Sequence, residues 1–290
     1  MSLTGPALRV GVTLVAVLAA TFVGWQLWRY YTLSPWTRDA RVMANVVNIA
    51  PDVSGLVSAV NVVDNQLVQR GDVLFVIDQE RFGVAVQQAQ AEVEMKTQAL
   101  RLARDTASRN TSLARTDSGA ISAQAAERSS VSAAEAAAEL QAAQATLMSA
   151  QINLTRSTVR APADGYITNI NVNVGDYATA GQGVLALVDS HSFYVYAYFM
   201  ETKLPAIPDG AAARVELLAG GLRIDGVVEG LSRAIANPGS GGGLLAEVDP
   251  NFDWIRLAQR IPVRIKLGPL PPGTRLSAGM SATVVVLPAK

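Results

Sequence analysis

One motif is written twice in this chain, and about 80 residues of helix-forming sequence separate the copies. The first copy runs over 51–78 (PDVSGLVSAVNVVDNQLVQRGDVLFVID) and the second over 162–189 (PADGYITNINVNVGDYATAGQGVLALVD). Gly55, Val57, Val60, Val62, Gly71, Leu74 and Asp78 recur as Gly165, Ile167, Ile170, Val172, Gly181, Leu185 and Asp189, with one residue of slip between Gly181 and Leu185. Each copy alternates apolar and polar residues and breaks at glycine, the pattern of short strands joined by turns. Neither copy is long enough to bury a core alone, so the two are expected to fold together as one small β-sandwich. A single domain opened by a long insertion restricts the possible architectures severely.

The insertion is helical by composition and by spacing. Proline is absent from 81–118 and from 122–155, where Ala, Gln, Glu and Arg, all good helix formers, dominate. In the second segment Ala133, Ala136, Leu140, Ala143, Leu147, Ala150 and Leu154 follow alternating three- and four-residue steps, the a/d seam of a coiled coil. The first segment carries Val86, Ala89, Val93, Leu100, Ala103, Ala107 and Ala114, interrupted by Lys96 and Asn110. Thr116-Asp117-Ser118-Gly119-Ala120 reads as a tight reversal, and Ser122 as the cap of the second helix. The expected product is an antiparallel hairpin over 81–155, roughly 50 Å long at ~1.5 Å per residue. Its small-residue seam buries little area, so such an arm is expected to gain stability beside copies of itself.

From Val10 to Trp28 the chain has no charge, and Arg9 and Arg29 bracket the run. As a helix this stretch spans roughly 28 Å, close to the ~30 Å of a bilayer core. Trp25, Trp28, Tyr30 and Tyr31 cluster at its far end as a membrane-interface belt. The length and the belt favour a retained anchor over a cleaved signal sequence. Arg9 on one side and Arg29, Arg38 and Arg41 on the other leave its orientation open.

After residue 191 the strand pattern returns, at Phe193–Phe199, Ala213–Leu217, Gly226–Glu229, Val263–Leu267 and Ala282–Val286, with Pro- and Gly-rich turns between. This is the signature of a small barrel or sandwich. The expected division is a terminus (1–9), an anchor (10–28), a linker with a lead-in strand (29–44), the split sandwich (45–80 plus 156–190), the hairpin (81–155) and the barrel (191–290). The fold class is therefore mainly β with one long helical hairpin.

Composition excludes several functions. Twenty-four basic and 24 acidic residues cancel, so no nucleic-acid partner is expected. With no Cys and one His, disulfides, Cys/His dyads and multi-His metal centres are ruled out. Asp78 and Asp189 end the two repeats equivalently and read as turn residues rather than as a catalytic pair. Asp189-Ser190-His191 cannot assemble a triad, because neighbours on a strand point to opposite faces, and His191 reads as a hydrogen-bonded linker residue. Pro238–Gly243 lacks the Lys-Ser/Thr of a phosphate loop. No enzyme active site, cofactor or metal is expected.

Each repeat resembles half of a lipoyl or biotinyl carrier domain, but the helical insertion replaces the turn bearing the modified lysine, and the first copy has no Lys. An anchor, a split lipoyl-like domain, a helical hairpin and a following barrel together resemble the periplasmic adaptor (membrane fusion protein, HlyD/EmrA-like) family of bacterial efflux and secretion systems. Four segments are similar to the adaptors of aromatic carboxylic acid (p-hydroxybenzoic acid) efflux pumps and more loosely to the multidrug adaptor EmrA. They are Ser34–Arg41, Ile49–Gly55, Asp64–Val68 and Trp254–Ile265. The resemblance implies an inner-membrane anchor with the bulk in the periplasm of a Gram-negative cell. It implies partners at both ends, an inner-membrane transporter at the barrel and an outer-membrane channel at the hairpin tip, and self-association into a ring. In related adaptors the tip carries an Arg, a Leu four residues later and a Ser seven beyond that. Arg109 and Leu113 match; position 120 is Ala, flanked by Ser118 and Ser122. The implied docking tip is Arg109, Leu113, Ser118, Gly119 and Ser122. A secretion-system adaptor and a membrane-anchored structural protein without a channel are the alternatives.

Overall fold

The computed structural model describes residues 4–116, 121–234, 258–271 and 273–287. The 238–243 loop, Ser118 and Gly119 lie outside them, as does the start of the 254–265 segment. The chain divides into two compact units, 1–45 with 192–290, and 46–191.

The second unit contains the duplicated motif. Strand β2 (Val46–Ile49) leads into the first repeat, which forms β3 (Gly55–Val60), β4 (Leu67–Val68) and β5 (Val73–Ile77). Strand β6 (Thr158–Arg160) leads into the second, which forms β7 (Gly165–Thr168), β8 (Tyr177–Ala178) and β9 (Leu185–Asp189). They form two four-stranded sheets, ordered β2-β9-β7-β4 and β6-β5-β3-β8. Substituting each strand by its repeat equivalent converts one order into the other, so the sequence duplication is a structural pseudo-twofold. Neither repeat forms a sheet by itself, because β4 pairs with β7 and β3 with β8 across the duplication. Val57, Val68, Leu74, Phe75, Ile77, Ile167 and Leu187 fill the core between the sheets.

The turns obey the same symmetry. Gly71 N–H donates to the Ala161 carbonyl (2.8 Å) and Gly181 N–H to the Pro51 carbonyl (2.9 Å). Both glycines have positive φ, +96° and +80°, a conformation that an L side chain resists.

Two long helices fill the gap between the repeats. Helix α2 (Glu80–Thr116) and helix α3 (Ala123–Arg156) pack on one another. Every seam position read from the spacing is buried or half-buried, including Lys96 and Asn110, while the intervening positions are exposed except the half-buried Thr106 and Ala137. Lys96 Nζ donates to Glu139 Oε2 on the facing helix at 2.9 Å, which offsets the cost of a cation in the seam. At the base, Ile77 N–H donates to the Ser157 carbonyl (2.8 Å) and Gln79 Nε2 to Thr158 Oγ1 (2.8 Å). The insertion therefore leaves and rejoins the sandwich at one point.

The first unit holds helix α1 (Thr4–Leu33) and a closed six-stranded barrel, ordered β1-β10-β13-β12-β11-β14. Its strands are β1 (Trp36–Met43), β10 (Tyr194–Met200), β11 (Ala212–Leu217), β12 (Arg223–Leu231), β13 (Arg260–Leu267) and β14 (Ser281–Val286). Each of the five strands expected after residue 191 is present. The sixth corrects the division read from the sequence. The lead-in strand is part of the barrel, pairing β10 on one side and β14 on the other with a register shift between Thr37 and Ala40. Val42, Val195, Phe199, Val215, Ile224, Val263, Ile265 and Val284 make the barrel core. A short 3-10 turn, Glu201–Ala206, follows β10 and was not anticipated.

Candidate functional site

Arg109 and Leu113 lie one helical turn apart near the end of α2, the i,i+4 spacing that places them on one face. Both are exposed, Leu113 by 49%. The Arg109 guanidinium makes only a long contact to Thr106 Oγ1 (3.5 Å), and no carboxylate engages it among the described residues. Together they place a cation and an isobutyl group on one exposed helix face. Ser122 has a structural task as well. Its Oγ accepts from Ala125 N–H (3.2 Å) with extended backbone at φ −73° and ψ 145°, capping α3 as the sequence implied.

The other sequence-derived set is on α1. Its window Gly11–Trp28 has a mean hydropathy of 1.6 and is long and apolar enough to cross a membrane, a test that a signal sequence also passes. Trp25 and Trp28 are exposed, the latter by 70%. Tyr30 and Tyr31 continue the helix; their side chains lie outside the described set.

Residues that tempted a catalytic reading have ordinary roles. Asp78 Oδ1 accepts from Glu80 N–H (3.1 Å) and Asp189 Oδ1 from His191 N–H (2.8 Å), the same i to i+2 turn at both repeat ends. The strand-alternation argument against a triad does not apply, because β9 ends at Asp189 and the chain turns there. Ser190 Oγ and Asp189 Oδ1 do approach His191, at 3.2 and 4.0 Å, yet both face Nδ1. A relay needs one partner on each ring nitrogen, so this is no triad. Among the described residues there is no cluster of three or more His, Asp or Glu side chains able to hold a metal ion.

Sequence reasoning missed Lys203. It is 6% exposed, donates from Nζ to the Trp36 carbonyl (3.1 Å) and lies 5.0 Å from the Trp36 ring centroid, with no carboxylate beside it among the described residues. Burial lowers its pKa from the ordinary 10.5. Trp36 Nε1 is also buried without a hydrogen-bond partner among the described residues. A lysine two residues before Pro205 gave no signal of this.

A sandwich of two interlocked repeats, a helical pair inserted between them, a six-stranded barrel and an apolar leading helix define a membrane fusion protein-type architecture. Residues 45–190 match the family model described as the RND MFP barrel-sandwich hybrid domain, and 192–287 match the AAEA-like beta-barrel domain. The chain belongs to the membrane fusion protein family, the periplasmic adaptors. It is 40% identical over 276 residues to the Escherichia coli K12 protein YdhJ, described as uncharacterized, covering 94% of this chain and 96% of that one. Its fold is similar to the membrane fusion protein Spr0693 of Streptococcus pneumoniae R6 (TM-score 0.66, 17% identity, 89% of this chain and 100% of that one). It is also similar to a MacA-MexA chimera carrying the Pseudomonas aeruginosa MexA α-hairpin (TM-score 0.62, 17% identity, 89% and 82%). Members of the family are adaptors, not enzymes, and work between inner-membrane transporters and outer-membrane channels.

Proposed function

We propose that this protein is the periplasmic adaptor of a tripartite pump that exports small molecules, of which aromatic carboxylic acids and drugs are the classes to test. Helix α1 is retained as a single inner-membrane span with the Trp25, Trp28, Tyr30 and Tyr31 belt at one interface, and the rest of the chain lies in the periplasm. The barrel of residues 191–290, closed by the strand from 29–44, engages the inner-membrane transporter. Helices α2 and α3 form an antiparallel coiled-coil arm whose tip, Arg109, Leu113, Ser118, Gly119 and Ser122, docks on an outer-membrane channel. Copies assemble into a ring, and the transporter supplies the energy.

The observation that carries this reading is the rejoining of the two repeats beneath a long insertion. A domain that is complete without its insertion gains nothing in its own core from 37- and 34-residue helices. Their use lies in reach. Photocrosslinking in cells from position 113 tests it. An outer-membrane channel captured there, and lost in an Arg109→Ala/Leu113→Ala variant, supports docking. Self-adducts alone overturn it and favour a structural anchor.

A further inference from the structure

The outer surface of the barrel has two unlike faces. On β11, β12 and β14 the charges pair off, Arg223 with Glu216 (3.1 Å) and Arg214 with Asp225 (3.8 Å), and apart from Glu229 at the border with β13 the remaining outward residues are small or aliphatic. The face made by β1, β10 and β13 is different. Three of the chain's seven tyrosines, Tyr194, Tyr196 and Tyr198, occupy successive outward positions of β10, while Val195, Ala197 and Phe199 face the core.

Register surrounds this ladder with cations. Arg41 and Arg264 lie directly opposite Tyr196 on its two sides, and Lys266 lies opposite Tyr194. The Arg264 guanidinium stacks 3.9 Å from the Tyr194 centroid while Glu229 holds it at 2.7 Å. Tyr194 and Tyr196 meet edge to face at 5.1 Å. Arg260 pairs with Asp39. Arg41 and Lys266 have no ionic partner among the described residues, so the cations of this face exceed the carboxylates that pair with them.

Tyrosine and arginine dominate binding hot spots because they bring area and polar reach at low entropic cost. Here the rings already hold one another and Arg264, so little mobility is left to lose on contact. The unpaired positive charge fixes the sign of what binds. We infer that the outer face of β1, β10 and β13 is a docking face for an acidic protein surface, whose carboxylates meet Arg41 and Lys266 over the tyrosine ladder. Resting on the adaptor reading, the protein that bears this surface is the inner-membrane transporter.

Val227, opposite Lys266 at the edge of the face and 48% exposed, is the place for a photocrosslinking residue, because Tyr and Arg side chains stay intact. In full-length protein in cells, the expected adduct joins Val227's position to an Asp/Glu-rich segment of a multi-pass inner-membrane protein. Arg41→Glu with Lys266→Glu should cut its yield roughly tenfold while the purified variant melts like the parent. If that variant does not melt cooperatively, Arg41→Gln with Lys266→Gln decides. Adducts only with a second copy or with lipid, a transporter adduct through a segment lacking Asp and Glu, or an unchanged yield in a folded variant overturn the inference. The position-113 crosslink run in parallel separates the failures. A channel adduct there with no transporter adduct at 227 leaves the adaptor reading standing and this face refuted; silence at both removes both.

Discussion

Gly165 has room for a hydrogen and nothing more. A Cβ there falls 2.3 Å from the Val188 carbonyl oxygen, a backbone atom fixed by the β7–β9 ladder. Its repeat equivalent Gly55 meets a softer obstacle, the Ile77 Cγ2 methyl at 2.7 Å. Gly165→Ala is therefore expected to cost about 2–3 kcal/mol and Gly55→Ala about 1 kcal/mol, measured by urea unfolding. Gly83 is the control. It sits in α2 with nothing within 4 Å of its Cβ, so Gly83→Ala should stabilise by up to ~1 kcal/mol. Lys203 belongs at this scale too. Burial lowers its native pKa below 10.5, so the folded protein sheds that proton before the unfolded one does. Stability should rise with pH between the lowered value and 10.5. Lys203→Met should abolish that rise, as read by the denaturation midpoint over alkaline pH.

At the scale of elements, the helical pair behaves in the opposite sense. The hydrogen bond and charge of Glu139 raise the Lys96 pKa above 10.5. The contribution is complete below 10.5 and is lost as pH climbs through the raised native value. Helical signal in the parent should weaken with pH in that range, and in Lys96→Met it should not. The arm was legible because its apolar residues keep a strict three-four spacing, and even its two polar interruptions fall in the seam. The strands after residue 191 were legible because each alternates within itself. The membership of β1 was not. Its partners Tyr194–Ala197 and Ser281–Val285 lie more than 150 residues away, and a single strand carries no mark of what it will pair with. Nor was the His191 geometry readable, since it depends on where β9 stops rather than on the Asp-Ser-His order. The tyrosines of β10 were visible as strand formers, whereas their crown of Arg41, Arg264 and Lys266 exists only through register.

Considered whole, the molecule is built from pieces that begin and end together. Ile77 and Ser157 share a hydrogen bond across the insertion, so replacing 80–156 with a short Gly-Ser turn should leave a cooperatively melting protein with its β circular dichroism intact. The same deletion should abolish export, because reach is lost while the fold is not. A non-cooperative melt would show that the helices hold the sandwich together. The strand β1 has a further consequence, one of order in time. It is made before the sandwich and the helical pair, yet both of its neighbours in the barrel are made after them. During synthesis the sandwich and helical pair can finish while β1 waits unpaired, and the strand Ser281–Val286 closes the ring of hydrogen bonds. Completion of the barrel thus certifies that everything upstream of residue 281 has already been made.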